Sequence, residues 1–515
     1  MNIQNISSQN RLTCLDILRG LAIFGMILVA IQPEGMPLWM YHAQVPPAGY
    51  NPEIPGITWV DLIFPFFMFA LGAAIPFALT KRLEAGVSKL KITGHIFWRS
   101  FLMGIFALYL GYWYPWAYGA NPTEHKWIFW RTLGGFFFLV MFLGRIPGLS
   151  GRQEKSRKIL SLIIKLSGLA GIISLLLTYT HFDSATNQWV NGFDGNGMDW
   201  VIYRLAQSYI LASIVWMFTR KNYKIRLGLI AFLAVLRIHV DAGGNLGNFL
   251  KQYFSTEAWF EKLLGWIPLY HQAPWAYFTQ SFKWLIDPAV YYDIAIIALI
   301  GTIFGDIMFH FTRNQKNKIE PDYISNSSWM GMLILYPLLV LLGLYAFFTR
   351  RVDLGFGLSL VLSVLLLASL HGIYRKDLKL LFIELTGYGI FFLLIGYLFD
   401  VAGHGIRKEP SNLSFYFATS GMAIFSLLFL YLLADIRGYS KAFSWFTDSG
   451  ANPMMGYIAG RQCFFSILHL TGLAVLFETP IMHNIPLYFA YCALLTLLSV
   501  YFTAWLTRKK IILRV

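Results

Sequence analysis

Apolar residues run through this chain in long blocks separated by short polar stretches, and most blocks have the length of a membrane crossing. A helix needs about 20 mostly apolar residues to span the hydrocarbon core. Segments that meet this need fall at 14–32, 57–79, 96–114, 127–145, 159–180, 200–218, 226–240, 289–311, 329–348, 354–372, 379–399, 413–434, 452–477 and 486–506, of which 226–240 is short. The pattern predicts an all-α fold: a polytopic transmembrane helix bundle of about 10–14 spans. It is expected to occupy residues 1–515 as a single integral membrane domain, since no low-complexity tract or soluble domain interrupts it. No internal repeat is visible, which argues against inverted-repeat transporter folds. The first apolar block follows "RLTCLDILRG" and continues at spanning length, so no cleavable signal peptide is expected.

The polar connections carry the orientation. Lys and Arg crowd into "KRLEAGVSKLK", "GRQEKSRK", "TRKNYKIR", "TRNQKNK", "YRKDLK" and the tail "TRKKIILR", whereas loops 33–56, 181–199 and 478–485 contain neither. The positive-inside rule then places both termini in the cytoplasm and loop 33–56 on the far side. Arg350–Arg351 and Arg407–Lys408 break the rule, because the alternation of spans puts them on the far side too. The longest far-side stretch, about 241–286, is aromatic-rich and is expected to hold a short helix lying on the membrane surface.

Composition supports this picture. The chain is 57% hydrophobic and 13% charged, with a mean hydropathy of +0.56, against about 25% charged residues in soluble domains. Aromatic residues cluster at segment ends, as in "LYLGYWYPWAYG", where amphipathic rings suit the headgroup level. The net charge of +15 raises the question of nucleic acid. The basic residues sit in short clusters between apolar blocks, however, so they report topology, and the expected partner is the lipid bilayer with no nucleic acid. Cys14, Cys463 and Cys492 lie in or beside apolar segments at no metal or redox spacing, so neither a disulfide nor a metal site is expected.

Charged groups inside such blocks are expensive and are candidates for function. Asp16 and Arg19 stand one helical turn apart at the mouth of the first span, where they can pair or simply anchor an interface. His42 lies in a Pro- and Gly-rich loop, and Asp61 opens "DLIFPFFMFALG". An acid in that position suits a helix cap. Beside an imidazole it also suits general-base or nucleophilic acyl chemistry, because the carboxylate fixes the tautomer and raises the basicity of the ring. Arg99, Arg131, Arg204, Asp306, Glu384, Asn452 and His469 are further polar residues within apolar segments. Several arginines pointing into a bundle can pair with carboxylates or hold a phosphate-rich ligand. No P-loop, GxGxxG, GxSxG or HExxH pattern appears, so nucleotide hydrolysis, hydrolase and zincin chemistry have no support.

The stretches "LDILRGLAIFGMILV", "HA" and "GITWVDLIFPFFMFALGAAIPFAL", with "IFWRSFLMG", "WRTLGG" or "YRLAQSY", "GANPMMGY" and the closing "RKKIILRV", resemble the heparan-α-glucosaminide N-acetyltransferase family. The likeness extends to its bacterial branch of amino-sugar-operon and DUF5009-type membrane proteins. It lies in the first hundred residues and the extreme C-terminus; roughly 180–440 is not clearly matched. The resemblance implies acetyl transfer from cytoplasmic acetyl-CoA to the amine of an amino sugar or glycan across the membrane. It implies a location in the bacterial cytoplasmic (inner) membrane, His42 as catalytic histidine and Asp61 as its supporting acid. Asp16, Arg19, Arg99, Arg131, Arg204 and Asn452 are the candidates for holding acetyl-CoA. Two departures stand out. The segment "VPPAGYNPEIP" lengthens the His42–Asp61 spacing, and Ala30 stands where the family has an asparagine, with Gln32 the nearest substitute. Two other functions stay open: an amino-sugar transporter or permease, and a catalytically inactive relative serving as a membrane scaffold. A homodimer is compatible with all of them.

Overall fold

The computed structural model describes residues 12–145, 154–184, 186–192, 200–241, 293–314, 321–481 and 483–513. The expected surface helix within 241–286 therefore lies almost wholly outside the described residues. The helices are α1 (Thr13–Ile31), α2 (Trp59–Glu84), α3 (Lys89–Tyr112), α4 (Lys126–Leu143), α5 (Glu154–Leu177), α6 (Trp200–Thr219) and α7 (Tyr223–Asp241). They continue with α8 (Ala295–Asn314), α9 (Asn326–Phe348), α10 (Val352–Ser369), α11 (Lys376–Ala402) and α12 (Leu413–Leu430). The last group is α13 (Ser444–Gly450), α14 (Pro453–Ile458), α15 (Phe465–Leu470), α16 (Leu473–Ile481) and α17 (Ile485–Arg508). Strand is confined to two short two-stranded pairs among the described residues. The chain is an all-α integral membrane protein.

Eleven described helices are long and apolar enough to cross a membrane. The other three expected spans depart for visible reasons. The helices at 96–114 and 226–240 reach spanning length as α3 and α7, but they carry charge, with Lys89, Lys91 and Arg99 in one and Lys224, Arg226 and Arg237 in the other. The 452–477 segment is not one regular helix. A π-helical stretch, Ala459–Phe464, separates α14 from α15, and the chain then breaks at Gly472, whose φ of 76° is left-handed.

Helix starts follow from their caps. Thr58 and Asp61 form a capping box at α2, and Ser88, Ser325, Asn412 and Asn484 cap α3, α9, α12 and α17 through their side chains. Each cap satisfies main-chain N–H groups that lipid cannot.

Small residues bring the central helices together. Gly301 and Gly305 on α8 face the main chain of Phe69 and Ala73 on α2, and a Cβ at either glycine would collide with a carbonyl oxygen there. Such small-residue contacts replace the hydrophobic effect, which gives helices no reason to associate in lipid. The same device joins α11 to α12, where Gly396 meets Ala418 and Gly421 meets Leu393, and α1 to α13, where Gly20 lies against Phe446 and Gly450 against Asp16. The spanning window of α12 is 83% buried and that of α8 is 78% buried, against 6% for α5, so α8 and α12 are central and α5 is peripheral. Buried charge is paired: Arg226 with Asp306, which also accepts from Trp216 Nε1 at 2.8 Å, and Arg237 with Asp293 at 2.8 Å.

Three connections converge at one end of the bundle. Gly56 N–H donates to Ile406 O at 2.7 Å, Arg407 reaches Pro52 O at 3.2 Å, and a Cβ on Gly405 would strike Pro55. Arg350, between α9 and α10, pairs with Asp400 through two hydrogen bonds of 2.8 and 2.7 Å. The basic residues that break the charge rule are therefore here, at the end that carries loop 32–58.

Candidate active site

The site starts from the capping box. Thr58 turns the chain into α2, its Oγ1 donates to Tyr41 O at 2.7 Å, and its N–H donates to Asp61 Oδ2 at 3.0 Å. Asp61, 0% exposed, spends one carboxylate oxygen on the cap, and Ala43 N–H reaches that same oxygen at 3.2 Å. Its other oxygen, Oδ1, lies 2.6 Å from His42 Nδ1. Between His42 and Asp61 the loop closes on itself through Asn51 N–H to Gln44 O at 2.9 Å. The His42 side chain keeps 32% of its surface exposed. With Nδ1–H given to the carboxylate, Nε2 carries the lone pair, the arrangement of an oriented general base or nucleophile.

A third charged group completes the site. Lys408, 7% exposed, places Nζ 3.0 Å from His42 Nδ1, 3.4 Å from Nε2, 3.9 Å from Asp61 Oδ1 and 3.6 Å from Glu409 Oε1. Burial pushes the Lys408 ammonium below its ordinary value; Asp61 and Glu409 oppose that push and Arg204 adds to it. Gln44 fastens the lysine's segment to the histidine's, accepting from Lys408 N–H at 3.2 Å and donating to Ile54 O at 2.8 Å and Gly56 O at 3.1 Å. Asp400 holds the same segment from below, accepting from Ile406 N–H at 2.7 Å while paired to Arg350.

The depth of the pair follows from its neighbours. Gly25 of α1 packs against Trp59 and Ile63 of α2. Asp61 therefore sits near the Gly25 level, about 9 Å of helix below the end of α1. Gln32 supports the loop, its Nε2 donating to Met40 O at 2.8 Å. Ala30 is exposed on α1.

The residues expected to hold acetyl-CoA are dispersed. Arg19 pairs with Asp16 at 3.3 Å and donates to Ala70 O at 2.8 Å. Ala70 lies nine residues beyond Asp61 on α2, about 13 Å along the axis. Arg99 packs its guanidinium over Tyr209, 5.0 Å from the ring centroid. Arg131 donates to Leu175 O and Thr178 Oγ1, both at 3.0 Å. Arg204 acts electrostatically on Lys408. Asn452 is engaged with the C-terminal strand, donating to Ile511 O at 2.9 Å and accepting from Leu513 N–H at 3.2 Å. Arg204 is tied to the His42–Asp61 site through its electrostatic effect on Lys408. His469 stacks on Phe129 with centroids 4.6 Å apart, in an aromatic cluster with Trp116. The described residues contain no group of three or more potential metal ligands.

Sequence reasoning missed Lys408, Gln44 and Thr58. The lysine did leave a signal, because Arg407–Lys408 violates the charge rule, and such a violation marks charge held by the protein rather than by topology.

The description "Domain of unknown function (DUF5009)" belongs to a family model that matches residues 11–270. Heparan-alpha-glucosaminide N-acetyltransferase from Mus musculus is 40% identical over 97 residues, which is 19% of this chain and 13% of that protein. The Homo sapiens protein of the same name is 36% identical over 93 residues, 18% of this chain and 12% of that protein. The matched part is thus a small fraction of these relatives. His42 and Asp61 fall within the family match, and Lys408 falls outside it.

Proposed function

The chain belongs to the DUF5009 family, and from that premise we propose that it is a membrane-bound acetyltransferase whose reaction centre is His42 with Asp61. The 2.6 Å contact between His42 Nδ1 and Asp61 Oδ1 carries this reading. The similarity of part of the chain to heparan-alpha-glucosaminide N-acetyltransferases supports it. The donor is acetyl-CoA, used as a substrate, and the acceptor is the amine of an amino sugar or glycan. Asp61 orients the ring, and His42 Nε2 takes the proton of the acceptor amine as it attacks the thioester carbonyl, a step that histidine serves well near neutral pH. The thiol of CoA leaves with a proton.

The donor enters from the end opposite His42, where basic loops supply cations for its phosphates. Arg19, in contact with Ala70 O partway down α2, lies between that end and the pair. The bare loop 33–56 faces away from the cytoplasm of a bacterial inner membrane, with both termini on the cytoplasmic side.

Donor binding is the first test. Acetyl-CoA at about 100-fold excess over Kd stabilises a protein that binds it by about 2.7 kcal/mol, visible as a raised Tm of the purified protein. No shift and no binding at saturating acetyl-CoA would overturn the proposal. Counterflow of labelled glucosamine without CoA would replace it with a permease.

A further inference from the structure

We propose that Lys408 is a positioning residue of this site, holding His42 in its uncharged form by placing a cation against the imidazole beside Asp61. The proposal rests on the acetyl-transfer reading for its consequence but not for its geometry. His42 Nδ1 has two neighbours within hydrogen-bond reach, Asp61 Oδ1 at 2.6 Å and Lys408 Nζ at 3.0 Å. One ring nitrogen cannot both donate to a carboxylate and accept from an ammonium. The shorter contact assigns the Nδ1 proton to Asp61, so the ammonium cannot donate at that atom and its remaining contact with the ring is the Nε2 lone pair at 3.4 Å.

The electrostatic balance then follows. A buried carboxylate alone favours the imidazolium, which has no lone pair at Nε2 and can neither accept a proton nor attack. An ammonium at nearly the same distance opposes that protonation, in surroundings where charges interact more strongly than in water. Among the described residues, the charged and titratable groups recorded around the ring are these. Asp61 faces it from α2 and Lys408 from the segment between α11 and α12. Glu409 stands behind Lys408 at 3.6 Å, and Arg204 of α6 adds positive potential to the lysine. On the histidine's own segment, the Tyr41 hydroxyl is turned away toward Pro33 O and Met36 N–H, at 3.3 and 3.2 Å.

The lysine is also built into place. Its main-chain N–H is fastened to Gln44 and its segment to Asp400. It comes from a part of the chain outside the family match, so residues distant in sequence supply the acid and the cation.

The test reads His42 directly. Purified protein is treated with diethyl pyrocarbonate across pH 5–9, and modification of the His42 peptide is followed by mass spectrometry alongside the pH profile of acetyl transfer. In Lys408→Met and Lys408→Gln, His42 is expected to lose reactivity on the acid side of the profile relative to wild type, and the acid limb of the rate profile to move with it. Lys408→Arg, which keeps the charge, is expected to return both toward wild type. Unchanged His42 reactivity in both neutral variants would overturn the inference even if acetyl transfer were normal. A shifted reactivity in a protein without acetyl transfer would uphold it while removing the proposed function. The two neutral variants pack differently, so a folding defect in one leaves the other to decide.

Discussion

Gln44 and Lys408 stand 364 residues apart in the chain, yet the main-chain N–H of Lys408 donates to Gln44 Oε1 at 3.2 Å. The contact joins the loop that carries His42 to the segment between α11 and α12. It makes the environment of the histidine a property of both halves of the chain.

Removing the reacting group should separate chemistry from binding. His42→Ala is expected to abolish acetyl transfer while leaving acetyl-CoA affinity and expression near wild type. Asp61→Asn preserves size but removes the charge that orients the ring, so a rate loss on the order of 10²–10⁴ is expected. Near-normal transfer in His42→Ala would reassign the histidine, with His469 the next to examine.

The anchoring of the lysine segment predicts a loss of both stability and activity at a distance. Asp400→Ala removes the acceptor of Ile406 N–H and both hydrogen bonds to Arg350. Bonds to a charged group are worth about 1.5–3 kcal/mol, and the partly exposed arginine lowers that figure. A lower Tm and a weakened rate with little change in donor affinity are expected. Unchanged kinetics would show that the segment needs no such anchor.

Stability should respond to Lys408 with a defined sign. Burial depresses its folded-state value below the ordinary 10.5, so the unfolded chain binds more protons between the depressed value and 10.5. Stability therefore rises with pH across that window, and the cost of the buried ammonium is fully present below it. The Tm of wild type relative to Lys408→Met should increase on going from neutral to alkaline pH. A flat difference would mean that Asp61 offsets the burial.

The close approach of α2 and α8 can be tested at one atom. Gly305→Ala puts a methyl group into the Ala73 carbonyl oxygen, and overpacking of this kind costs about 1–3 kcal/mol. Gly357→Ala, where a Cβ meets nothing within 4 Å, should leave thermal stability unchanged. Equal effects at both sites would argue against backbone contact between these helices.

Orientation has its own measurement. Cys14, Cys463 and Cys492 are buried, so a background lacking them is a fair starting point for a single Cys at exposed Ala48. An impermeant maleimide is expected to label it in intact cells. Labelling only after lysis would invert the proposed topology.

The sequence by itself determined the class of fold, because lipid demands that every main-chain polar group be satisfied within a helix and that the helix be apolar for about 20 residues. It also singled out His42 and Asp61, since a charge at the mouth of an apolar run is costly and the surrounding motif resembles a known family. The tertiary structure decided what surrounds them. Only folding could show that Asp61 divides its two oxygens between a helix cap and an imidazole. Asn452 is engaged with the C-terminal strand and Arg131 with the end of α5, and Lys408 completes the charge around the ring. Hydrophobic periodicity is local and registers burial, whereas a contact between residues 42 and 408 depends on how helices between them pack. That packing is set by small residues such as Gly301 and Gly305, whose meaning appears only beside the backbone they touch.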